Sequence, residues 1–129
     1  MLKEIEIKSV GSNDLIQTIY FGGGTPSFFA TKEINKIINS IFEKFQISEN
    51  PEITLEANPD DLSKAKLIEL SQSYINRLSI GVQSFNDDEL KLMNRSHNSN
   101  DAKTCIDNAL KYYDNISIDL IFGMPNSNL

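Results

Sequence analysis

Residues 18–45 read Thr-Ile-Tyr-Phe-Gly-Gly-Gly-Thr-Pro-Ser-Phe-Phe-Ala-Thr-Lys-Glu-Ile-Asn-Lys-Ile-Ile-Asn-Ser-Ile-Phe-Glu-Lys-Phe. The first four residues are β-branched or aromatic, and a run of glycine and proline stops them. Beyond the breakers, Ile34, Ile37, Ile38, Ile41, Phe42 and Phe45 recur at the spacing of a single helix face, with Thr31 placed to cap it. A short apolar strand, a sharp break and an amphipathic helix make one βα unit.

The unit repeats. Ile53–Leu55, Arg77–Val82 and Ile116–Phe122 read as further strands beside Thr18–Phe21. Ala102, Cys105, Ile106, Ala109, Leu110 and Tyr113 form a second helical stripe, with Asn98 or Ser99 as its cap. Residues 63–71 predict a weaker helix and residues 87–93 a short one. Leu2–Ile7 fits either a helix end or a frayed strand. Alternation of this kind demands right-handed crossovers and a parallel α/β sheet. The near-continuous apolar strands suggest burial on both faces.

The breakers are not scattered. Gly22, Gly23, Gly24, Gly81 and Gly123, with Pro26, Pro59 and Pro125, fall at the carboxyl ends of strands. In parallel α/β folds that edge is where loops converge and ligands bind. Glu56, Gln83, Arg95 and Asp119 stand at or just past the same edge. An acid, an amide, a base and a second acid suit a polar, partly zwitterionic molecule. Asp119 lies inside Ile-Ser-Ile-Asp-Leu-Ile-Phe, where an unpaired buried carboxylate would be costly. The glycine run is neither a Walker phosphate loop nor a dinucleotide fingerprint, since the required Lys and third Gly are absent.

Composition narrows the classes. The chain has 129 residues, with 12 Lys+Arg against 18 Asp+Glu and a formal charge of −6. An acidic balance argues against binding nucleic acid by phosphate neutralisation. The sequence holds no apolar run long enough for a membrane span, and Met1–Val10 carries too much charge for a signal peptide. One cysteine, Cys105, allows no intrachain disulfide and no Cys-rich metal centre from this chain alone. Cys105 is expected in the core, and His97, the only histidine, in a loop hydrogen bond. These features predict one domain over residues 1–129, in the cytoplasm.

Five segments then carry a resemblance: 18–27 (Thr-Ile-Tyr-Phe-Gly-Gly-Gly-Thr-Pro-Ser), 52–59 (Glu-Ile-Thr-Leu-Glu-Ala-Asn-Pro), 76–85 (Asn-Arg-Leu-Ser-Ile-Gly-Val-Gln-Ser-Phe), 94–97 (Asn-Arg-Ser-His) and 118–125 (Ile-Asp-Leu-Ile-Phe-Gly-Met-Pro). In this order they resemble the motifs of radical S-adenosylmethionine (SAM) proteins. The branch is that of oxygen-independent coproporphyrinogen III oxidases and the HemW haem chaperones. Ala57-Asn58 and Ser84 look more like the HemW side. The resemblance implies a partial TIM-like (β/α) barrel of about four parallel strands with flanking helices. It implies that SAM lies across the strand ends, with Gly23, Gly24 and Thr25 facing its methionyl part. Glu56, Gln83, Arg95 and Asp119 would surround its polar groups.

The family's Cys-x-x-x-Cys-x-x-Cys motif, which binds a [4Fe–4S] cluster, has no counterpart here. The chain is therefore expected to be an internal piece of a longer protein, inactive alone, holding no cluster and binding SAM weakly. Haem or porphyrin would be a partner of the parent. A true coproporphyrinogen III oxidase parent and a non-catalytic α/β binding module are the alternatives. Truncation would leave bare sheet edges and apolar barrel-facing side chains, and with them a tendency to self-associate.

Overall fold

The computed structural model describes residues 1–125. It contains α1 (Leu2–Ser9), β1 (Leu15–Phe21), α2 (Thr31–Lys44), β2 (Gln46–Ala57), α3 (Lys64–Ser71), β3 (Arg77–Gln83), α4 (Asp87–Leu92), α5 (Ser99–Ala109) and β4 (Ile116–Leu120). The four strands form one parallel sheet in the order β1-β2-β3-β4. This is the sequential βα architecture that the breaker pattern predicts. The Leu2–Ile7 ambiguity resolves as helix, although α1 buries no residue.

Several boundaries differ, each for a local reason. The second strand begins at Gln46, well before Ile53, and runs through Pro51. Its pairing with β1 slips between Ile16↔Ile47 and Thr18↔Glu52. Proline donates no ladder hydrogen bond and is tolerated at such an irregularity. The fourth strand stops at Leu120 rather than Phe122. Thr31 is the first residue inside α2, not its cap; its hydroxyl instead accepts from Lys66 Nζ at 3.2 Å. Phe45 and Tyr113 lie beyond the ends of α2 and α5, at the limits of their stripes. Asn98 is the true cap of α5, within a reciprocal capping box with Asp101.

The two faces of the sheet have opposite chemistry. Ile19, Ile53, Leu55, Leu78, Ile80 and Val82 pack against Ile34, Ile38, Leu67, Leu70, Ala102 and Cys105 from the helices. Strand alternation puts the intervening residues on the other face: Tyr20, Thr54, Glu56, Arg77, Ser79, Ser117 and Asp119. That face is polar and laced by hydrogen bonds. The expectation of apolar barrel-facing side chains is thus overturned. Burial on both faces holds only for β3 and the later half of β2. Most of β1 is exposed, and β4 has no buried residue.

Among the described residues, β1 and β4 are paired on one side only. An apolar groove of about 440 Å³, lined by Ile5, Ile16, Ile19, Ile37, Ile41 and Phe45, runs beside β1. Ile118, Leu120, Ile121 and Phe122 stand exposed at the other side. Unpaired edges with apolar flanks recruit further strands. Light scattering on concentrated protein is expected to return species larger than a monomer; a clean monomer would show that the edges are tolerated bare.

Candidate functional site

Past the carboxyl ends of the strands lies a polar cleft of about 210 Å³. Gly24, Thr25, Glu56, Gln83, Arg95 and Asp119 all line it. Gly23 is tied to its wall, since its N–H donates to Glu56 Oε2 at 2.9 Å. Six of the seven candidate ligand residues therefore line one cleft, and the seventh, Gly23, is bonded to its wall. The volume is below the roughly 300–1,000 Å³ usual for a small-molecule pocket. A polar cleft of this size could take the polar end of a larger ligand. The groove beside β1 is larger and its lining is mainly apolar.

Each wall has a local cause. Gly23 and Gly24 adopt φ of +80° and +65°, the left-handed region glycine occupies without strain. A Cβ on either would meet nothing within 4 Å, so their main chain lies open to a ligand. The loop is pinned from behind by Ser27 Oγ, which donates to Asp61 Oδ2 at 2.7 Å. Glu56 points from β2, with Oε1 accepting from Tyr20 Oη at 2.9 Å. That bond to a carboxylate favours the protonated phenol and raises the Tyr20 pKa, aided by slight desolvation. Each Glu56 oxygen retains a lone pair for an incoming N–H or O–H.

Arg95 follows Asn94, whose φ of +55° ends α4 in the left-handed conformation that asparagine tolerates. The guanidinium returns to the strands, where Nη2 donates to Asn58 Oδ1 at 2.7 Å and to Gly81 O at 2.9 Å. A Cβ at Gly81 would lie 2.8 Å from Gln83 Nε2 and 3.6 Å from Arg95 Nη2. Glycine there leaves room for the Gln83 amide, while the Arg95 guanidinium would meet a Cβ only at ordinary contact distance. Gln83 has φ of +69°, where the β3–β4 register slips between Ile80 and Gln83. A non-glycine residue in that region is strained by roughly 1–3 kcal/mol, a feature that clusters at functional sites.

Asp119 departs from its sequence-based expectation. It is exposed, not buried, and Ser79 Oγ lies 3.3 Å from Oδ1 and 3.4 Å from Oδ2. Its apolar neighbours Ile118 and Leu120 project to the other face. No burial penalty has to be offset, and the carboxylate is free to accept from a ligand hydroxyl.

Asn58 and Ser79 also line the cleft, beyond the residues the sequence marks at the strand ends, together with the strand-end Gly81. Position carries a usable signal: Asn58 lies two residues past Glu56, and Ser79 two residues before Gly81. Ser79, Gly81 and Gln83 share one face of β3, as do Ser117 and Asp119 on β4. Tyr20 needed the β1–β2 register and could not be found this way.

Two other residues fall where expected. Cys105 is buried on α5, and burial pushes its thiol up to about 11. Such a thiol is a poor thiolate ligand. No cluster of three or more metal-binding side chains occurs among the described residues. The donor set therefore does not fit an iron–sulfur cluster. His97 is buried, with Nε2 3.0 Å from Val82 O. Among the described residues no helix is long and apolar enough to cross a membrane.

Comparison with known proteins gives the family of this fold. The sequence profile of the Radical SAM superfamily matches residues 2–129. The heme chaperone HemW of Buchnera aphidicola subsp. Acyrthosiphon pisum is 42% identical over 121 residues, covering 94% of this chain and 32% of the relative. HemW of Bacillus subtilis is 41% identical over 125 residues, covering 95% of this chain and 33% of the relative. Among solved structures, coproporphyrinogen III oxidase (HemN) from Escherichia coli, described as a radical SAM enzyme, superposes with a TM-score of 0.85 at 28% identity. That match covers 98% of this chain and 30% of HemN. The chain thus spans about a third of the length of these relatives, and its four strands correspond to part of a radical SAM barrel.

Proposed function

Because the chain belongs to the radical SAM superfamily, on the branch of its HemW and HemN relatives, we propose that its strand-end cleft is the SAM-holding wall of a HemW-type protein. The observation that carries this reading is the convergence of Gly24, Thr25, Glu56, Gln83, Arg95 and Asp119 on one polar cleft. The residues suit the ligand chemically. Arg95 offers a guanidinium to the amino-acid carboxylate. The open main chain of Gly23 and Gly24, with Thr25 beside it, lies against the methionyl part. Glu56, Gln83 and Asp119 supply acceptors and an amide for the ammonium and ribose hydroxyls.

SAM bound beside a reduced [4Fe–4S] cluster supplies a cleavable sulfonium bond for radical chemistry. The residues of this chain bind and orient; the cluster would need ligands from elsewhere in the parent. Haem or porphyrin handling is proposed only for the longer protein, by analogy with the relatives' names. A coproporphyrinogen III oxidase parent is the second reading, supported by the likeness to HemN. The higher identity to HemW and the Ala57-Asn58 pair favour the first.

Residue-resolved NMR tests the reading. Titrating the chain with S-adenosyl-L-homocysteine, which keeps the carboxylate, ammonium and ribose, is expected to shift Gly23, Gly24 and Gln83 first. Without a cluster to anchor the methionyl end, affinity should be near millimolar, about −4 kcal/mol. Shifts confined to the groove beside β1, or none at low-millimolar ligand, would refute it.

A further inference from the structure

The arginine of the cleft is held without an acid. Both recorded acceptors of Arg95, Asn58 Oδ1 and Gly81 O, are neutral. No ion pair among the described residues involves it. Arg77, deeper on the same face, shows the other arrangement, with Nε 3.9 Å from Glu52 Oε2. The orientation of the Asn58 amide is not arbitrary. A guanidinium has only donors, so the oxygen must face it.

Asn58 is itself placed firmly. It ends the run from β2 and precedes Pro59, which confines it to extended backbone, observed as φ −93° and ψ 150°. The turn that follows grips the segment carrying Arg95 again. Asp60 Oδ2 accepts from Ser96 Oγ at 2.8 Å and lies 3.8 Å from His97 Nδ1. Asp60, the acid of this turn, thus accepts from the residue after Arg95, while a neutral amide meets the guanidinium itself.

We propose that Asn58 is a positioning residue that holds Arg95 through a neutral acceptor, leaving its full positive charge for a carboxylate on the bound ligand. This deepens the SAM reading and rests on it. Aspartate at position 58 would keep the shape and the hydrogen bond but cancel the charge. Alanine would keep the charge and lose the hold. Geometry and electrostatics can therefore be separated.

The test compares wild type, Asn58→Asp and Asn58→Ala against two ligands. S-adenosyl-L-homocysteine carries the amino-acid carboxylate; 5′-methylthioadenosine has the same adenosyl and thioether without it. The readout is the initial slope of the Gly23 and Gly24 amide shifts with ligand concentration. Asn58→Asp is expected to cut the slope for S-adenosyl-L-homocysteine about tenfold and leave that for methylthioadenosine within twofold. A second measurement needs no ligand: ¹⁵N relaxation of Arg95 Nε–H. It should show an ordered guanidinium in wild type and Asn58→Asp, and a loosened one in Asn58→Ala.

Equal loss for both ligands, or no loss for either, overturns the proposal. So does an Arg95 side chain equally ordered in all three proteins. If wild type binds neither ligand, the SAM reading fails and this proposal with it. An Asn58-dependent order of Arg95 would then show that the hold exists without that use.

Discussion

Arg95→Met is expected to lower the response to S-adenosyl-L-homocysteine ten- to a hundredfold in the NMR titration. Methionine keeps much of the reach and removes every donor. A hydrogen bond to a charged group contributes about 1.5–3 kcal/mol, and the variant loses that together with the Coulomb attraction for the carboxylate. Stability should change far less. Asn58 Oδ1 and Gly81 O lose a donor in a part-exposed cleft, where water can replace it. A variant that unfolds, or one that binds as wild type does, would show that Arg95 is structural or idle rather than a ligand group.

Leu78→Ala should remove about 2–5 kcal/mol, the range for truncating a fully buried leucine. Leu78 is 0% exposed on β3 and packs in the core between sheet and helices. Against a total stability of about 5–15 kcal/mol, that loss brings the chain near unfolding at room temperature. Leu120→Ala is the control. Leu120 is 54% exposed on β4, and its loss should stay within about 0.5 kcal/mol. Urea denaturation of the two variants tests where the core ends. Equal losses would mean that a partner already covers the outer side of β4.

Much of the site was readable because its chemistry is punctuated. Glycine and proline mark the strand ends whatever the packing, since their conformational limits are local. Glu56 and Gln83 lie within three residues of such a mark, Pro59 and Gly81; Arg95 lies 14 residues beyond Gly81, and the fold brings it to the cleft. Asp119 belongs with them by its place at the strand end, but the burial expected of it is overturned. An apolar stretch suggested burial, but the strand lies at an uncovered edge and alternation carries the carboxylate to the polar face. The second strand outruns its Ile53–Leu55 expectation because the chain absorbs Pro51 in a register slip and continues.

Local chemistry alone dictated the succession of strands and helices, the end of the sheet where ligands would gather, and the lack of cysteines for a cluster within this chain. These follow from φ/ψ limits, side-chain periodicity and residue counts, none of which depends on distant neighbours. Folding in three dimensions decided that the face behind the cleft is polar. It also decided that Tyr20 reaches Glu56, 36 residues away, and that Asn58 rather than an acid meets Arg95, 37 residues away. Such contacts depend on the register in which strands pair and on where loops return, and those are set by packing of the whole chain.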